Sequence, residues 1–268
     1  MKKPTIITLV AILLVIVVGF IFFTKKSSNK PATTVEETKV DLPINTIPVA
    51  ERPFITLSPD STGRSLNISL SGAPSEGSME YEMIYNASGK QEGALGSIYL
   101  GTEKQPITKS ILLGSKSGGG KITYHEGVTG GSITLTYGET RLKESWNYLH
   151  FDQGDPSFST TDGKLSVTLN KTALKKDSVI ITMKTFGYPK IEGKVVAGPY
   201  GYFTQTPIKG SAMVELKLPA GEHVNPTIYE WNGTSWKKLA TKLVGDTVSA
   251  TSSSSLPAQA GVFVVTTE

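Results

Sequence analysis

From Phe54 to the C-terminus, apolar side chains recur at every second residue, and that rhythm confines the chain to sheet. Leu66, Ile68 and Leu70 alternate with Asn67, Ser69 and Ser71. Met79, Tyr81, Met83 and Tyr85 alternate with Glu80 and Glu82, with Ile84 breaking the pattern, and Ile133, Leu135 and Tyr137 alternate with Ser132, Thr134 and Thr136. Successive side chains of a strand point to opposite faces, so each run describes a strand with one face in a core and one in water. Further strands are expected at 94–100, 107–113, 121–125 and 142–151. After a gap they resume at 165–169, 195–197, 212–218, 227–231, 236–239, 247–251 and 261–266. Residues 179–183 read differently, as an apolar run buried on both faces. A short helical turn is expected at 172–176, too brief to stand alone.

Glycines and prolines punctuate these runs at roughly the 8–12-residue spacing of a sandwich. Seven or eight strands within 53–151 make one complete sandwich. Asp152-Gln153-Gly154-Asp155-Pro156 reads as a boundary, and 160–268 as a second sandwich. The expected fold class is therefore all-β, with two tandem antiparallel β-sandwiches.

Ahead of the sheet region the composition changes. Residues 5–23, TIITLVAILLVIVVGFIFF, contain no charged side chain. Nineteen residues at about 1.5 Å each give roughly 28 Å of helix, close to the roughly 30 Å hydrocarbon core of a bilayer. In lipid such a segment must be helical, because nothing else satisfies its amides. A cleaved signal peptide has a shorter apolar region and a small-residue cleavage site. The exit Phe22-Phe23-Thr24-Lys25-Lys26 offers no such site, so an uncleaved single-pass anchor is expected. Residues 1–4 are read as a short cytoplasmic tail. Lysines flank both ends, so the positive-inside rule is nearly balanced. The four-residue N-terminal flank and the β-rich remainder favour placing 24–268 outside the cytoplasm, at the plasma membrane. Residues 24–52, with Pro31, Pro43 and Pro48, hold neither period and read as a disordered linker.

The formal charge of +4 belongs to this anchor. Five of the 27 Lys and Arg residues lie within 1–30 (Lys2, Lys3, Lys25, Lys26, Lys30), which contains no acid, leaving 22 basic against 23 acidic residues beyond it. That removes a nucleic-acid partner from consideration. With no cysteine, disulfides, thiolate metal sites and thiol nucleophiles are excluded together.

Catalytic templates fail one by one. Residues 114–121, GSKSGGGK, put five residues between Gly114 and Gly120-Lys121 where a P-loop needs four, and Ile122 replaces the magnesium-binding hydroxyl. Ser235-Trp236-Lys237-Lys238 fits S-x-x-K, but in a strand an offset of three sends the two side chains to opposite faces. Asp152, Asp155 and Asp162 match no EF-hand spacing and sit among turn formers. No cofactor and no catalytic residue is expected. A hydrolase whose carboxylates meet only in three dimensions is the enzymatic alternative.

Three segments carry resemblances. Residues 79–87, following the turn Gly72-Ala73-Pro74, resemble the third strand of fibronectin type III modules. Residues 113–137, LGSKSGGGKITYHEGVTGGSITLTY, resemble uncharacterised surface modules of bacteria with small genomes. From Tyr229 onward the chain resembles the C-terminal repeat-like β module of many bacterial cell-surface proteins, where such modules scaffold and display. Together the features resemble single-pass, membrane-anchored bacterial surface proteins with immunoglobulin/fibronectin type III-like sandwiches. The resemblance implies a non-enzymatic role in adhesion, envelope scaffolding or display, with envelope proteins or glycans as partners beside the lipid bilayer.

The alternative is a carbohydrate-binding envelope module, in which aromatic rings stack on sugars. The candidate rings are Tyr200, Tyr202 and Phe203, clustered beside a glycine, and Trp231 and Trp236. The four-residue connection between the tryptophans is expected to set them opposite each other on a hairpin.

Overall fold

The computed structural model describes residues 42–253 and 260–268. The expected tail, anchor helix and first part of the linker lie outside the described residues. Among those described, no helix is long and apolar enough to cross a membrane. They form an all-β fold with large antiparallel sheets.

The largest sheet has nine strands. In spatial order they are β16 (Trp236–Lys238), β15 (Thr227–Trp231), β19 (Ala260–Thr267), β13 (Lys194–Thr204), β12 (Val179–Lys184), β9 (Thr140–His150), β8 (Val128–Tyr137), β3 (Gly77–Ala87) and β4 (Lys90–Leu100). A three-stranded sheet joins β1 (Phe54–Pro59), β2 (Ser65–Ser71) and β5 (Ile107–Leu112). Five strands form another sheet, in the order β10 (Ser157–Ser159), β11 (Leu165–Leu169), β14 (Ser211–Lys217), β18 (Thr247–Ser253) and β17 (Thr241–Val244). A small ribbon pairs β6 (Gly114–Lys116) with β7 (Ile122–Tyr124), and its connection is the glycine-rich 117–121. The segment around 172–176 is a turn closed by Ala173 N–H donating to Asn170 O at 2.9 Å, not a helix.

Two cores lie on opposite faces of the nine-stranded sheet, and β12 belongs to both. Val179, Ile181 and Met183 pack with Leu57, Ile68, Met83, Ile133 and Trp146 in the first core. Ile180 packs with Leu165, Val214, Tyr202, Phe263 and Val248 in the second. The run expected to be buried on both faces is so: Val179 to Met183 are all buried. The sheet also crosses the expected boundary at 152–156, because β9 pairs with β12 through Val179↔His150 to Met183↔Trp146. The first core therefore draws Phe203 and Val262 from the second half of the chain.

The linker reading needs correction over residues 42–52. Asn45 N–H donates to Arg141 O at 2.9 Å, its side-chain amide donates to Lys143 O at 2.9 Å, and its Oδ1 accepts from Lys143 N at 3.0 Å. Ile44 bridges Arg141 in parallel. One asparagine side chain thus does the work of a strand neighbour, and the segment lies on β9 despite Pro43 and Pro48. Arg52 completes the attachment, with Nε donating to Ile47 O at 2.9 Å and Nη2 to Asn45 O at 3.0 Å.

Candidate functional site

A groove of about 870 Å³ opens beside β1, within the usual range for ligand sites. One wall is the outward face of β1 and β2. There the polar half of the strand alternation presents Thr56, Ser58, Ser69 and Ser71, with Phe54 at one end. Phe203 of β13 and Val262 of β19, which face the first core, form the floor, with Trp231 of β15 as a half-buried flank. Tyr188, Pro189 and Lys190 close one side, and Glu51 and Arg52 stand near them.

The loop carrying Tyr188 is held tightly. Thr185 Oγ1 donates to Gly187 O at 2.8 Å, and Thr185 N–H donates to Pro199 O at 3.0 Å. Gly187 lies so close to Arg52 O that any Cβ there would collide with it, so only glycine fits. Trp236 Nε1 donates to Pro189 O at 3.0 Å and pins the loop to β16.

The tryptophans do face each other, as Trp231↔Trp236 in the β15–β16 register, with ring centroids 5.4 Å apart and planes tilted by 58°. The other three candidate rings are scattered. Tyr200 and Tyr202 point into the second core, on the sheet face opposite the groove, whereas Phe203 points into the first. Tyr200 Oη donates to Asp162 Oδ2 at 2.8 Å, and burial pushes its hydroxyl far above the ordinary phenol range. Tyr202 is fully buried and stacked on Phe263 at 5.9 Å. Neither tyrosine is placed to meet a ligand; Phe203 offers the groove only its floor. The residues missed by sequence are Phe54, Tyr188 and the hydroxyl row of β1 and β2. Their signal was the polar half of an alternation that otherwise reads as solvent.

The electrostatics concentrate behind the groove. Arg52 Nη1 donates to Glu144 Oε1 at 3.3 Å, with both side chains almost fully buried. Burial pushes the Glu144 carboxyl up to about 7, against the lowering pull of Lys184 and Arg52. Asp152, Asp155 and Asp162 cap turns: Asp152 accepts from Gly154 N–H, Asp155 from Ser157 N–H, and Asp162 from Lys164 N–H. Among the described residues no three His, Asp or Glu side chains gather to hold a metal ion.

A second polar cluster lies at the foot of the ribbon. Ser115 Oγ and His125 Nε2 are 3.0 Å apart, and His125 Nδ1 lies 2.9 Å from Tyr85 Oη. A serine–histidine nucleophile needs a carboxylate orienting Nδ1. Here the nearby acid, Glu92, sits 3.8 Å from Nε2, on the serine's side. Together these contacts fasten β6 and β7 onto β3 and β4. Comparison with family models, curated proteins and solved structures gives no match for this chain.

Proposed function

We propose that this is a non-enzymatic, membrane-anchored surface protein. Residues 5–23 form its single-pass anchor in the plasma membrane, and the β body outside the cytoplasm serves adhesion, envelope scaffolding or display. In this reading the two cores are those of two immunoglobulin/fibronectin type III-like sandwiches, fused through the shared sheet. The observation that supports it is the groove. It is walled by strand faces, a pinned loop and a row of hydroxyls, an arrangement suited to holding a partner rather than to proton transfer. Protease treatment of intact cells expressing the full chain with a C-terminal tag should remove the tag. A tag protected until the cells are lysed overturns the reading.

Trp231 favours a second reading, a carbohydrate-binding module. An aromatic flank facing hydroxyl side chains is the composition that stacks on and hydrogen-bonds a sugar ring. On a glycan array, Trp231→Ala should abolish binding while Tyr202→Phe, buried on the other face, retains it. Absence of binding by the unmodified chain removes this reading and leaves the first untouched.

A further inference from the structure

Strand β4 is the outer edge of the nine-stranded sheet, and it is unlike the other described edges. Natural sheets blunt their edges with short strands, lysine, proline or bulges, because an open row of amides and carbonyls recruits further strands. Here β16 and β10 have three residues each, and β16 carries Lys237 and Lys238. β17 has four residues and bears Lys242, β5 bears Lys109, and β1 ends in Pro59. By contrast β4 runs for eleven residues, and from Gly93 to Leu100 it holds no charge and no proline. Its pairing with β3 is unbroken from Gly77↔Leu100 to Ala87↔Lys90, so no bulge turns the edge away. On the face away from the first core, Leu95 is 76% and Tyr99 63% exposed. Tyr81 from β3 packs over Gly96 on the core side, which keeps the glycine-containing edge extended.

We propose that β4 pairs antiparallel with β4 of a second copy of this chain, about a two-fold axis at Leu95. The strand's own sequence argues for a second copy. That register sets Leu95 opposite Leu95, Gln91 opposite Tyr99, Gly93 opposite Ser97, Glu92 opposite Ile98 and Lys90 opposite Leu100. No like charges meet, and every side chain keeps its face. The interface is isologous and closes after two chains. It joins two nine-stranded sheets into one of eighteen and forms about ten backbone hydrogen bonds on a ladder of this length.

The absence of native cysteine makes the test specific. The full chain in detergent carrying Leu95→Cys should form a covalent dimer on mild oxidation. Val244→Cys, 62% exposed on the β17 edge, should give at least about ten-fold less. Light scattering should count two chains per particle for the native protein and one for Leu95→Lys, whose exposed position leaves the β-type circular dichroism spectrum unchanged. The proposal is overturned if the native chain is single or associates only with another protein. It also falls if the dimer survives Leu95→Lys, or if Val244→Cys cross-links as readily.

Discussion

The two faces of the nine-stranded sheet are covered differently. On the first, a three-stranded sheet packs its edge strand β1 against β12 and β13, and the groove opens beside β1 over Phe203, Val262 and Trp231. On the second face the five-stranded sheet packs Leu165, Val214 and Val248 against Tyr202, Phe263 and Ile228. There the polar concession is inside: Glu230, 1% exposed, accepts a 2.6 Å hydrogen bond from Ser252 Oγ. The contrast teaches that each covering sheet, narrower than the sheet beneath it, leaves a margin open: the groove on the first face and the exposed β3–β4 end on the second. Beneath the five-stranded sheet the buried Glu230 carboxyl is held by Ser252 instead of lining an opening.

The largest test of this comparison is to cut it. If the faces share β12 as a common floor, residues 42–151 and 152–268 made separately should each lose cooperative urea unfolding, whereas 42–268 keeps it. A cooperative transition in 42–151 alone would show that Val179, Ile181 and Met183 are dispensable to the first core. Next in size are two adjacent truncations. Ile181→Ala removes a fully buried side chain from the first core and Ile180→Ala one from the second, each costing roughly 2–5 kcal/mol. Facing different neighbours, they should add to within about 0.5 kcal/mol in the double variant. Strong coupling would mean the faces are one cooperative core.

The smallest effect is electrostatic. Glu144 carries a carboxyl raised to about 7 by burial. Between the ordinary carboxylate range and about 7, the folded chain holds a proton that the unfolded chain has released. Stability from this group is thus present at low pH and lost as pH rises through about 7. The loss by pH 8 is on the order of 2–3 kcal/mol. Glu230 is raised in the same direction by its burial and leaves a residual slope, whereas Asp162, lowered by its hydrogen bonds, titrates below this pH range. Thermal melts from pH 5 to 8 should fall in the native chain and flatten in Glu144→Gln. An unchanged slope in the variant would assign the dependence elsewhere.

Strand positions were largely legible because alternation is local. Leu66, Ile68 and Leu70 are buried as their spacing implies, and Trp231 faces Trp236 because a four-residue connection leaves no other register. Tyr200 and Tyr202 are separated from the groove for the same local reason. Tyr202 and Phe203 are neighbours in sequence, and a period of two sends neighbours to opposite faces. Residues 42–52 resisted reading because their order rests on Asn45 and Arg52 meeting a strand some ninety residues away.

By itself the sequence determined that the body is sheet, where its strands turn, that β12 would be buried on both sides, and that no cysteine chemistry is available. Those properties follow from residue type and spacing along a few residues. Only the tertiary structure decided that β9 pairs with β12, that the polar faces of β1 and β2 look into a groove, and that β4 is left open at the edge. Strand pairing joins residues with no fixed separation in sequence, and what covers a face depends on the width of the sheet laid over it.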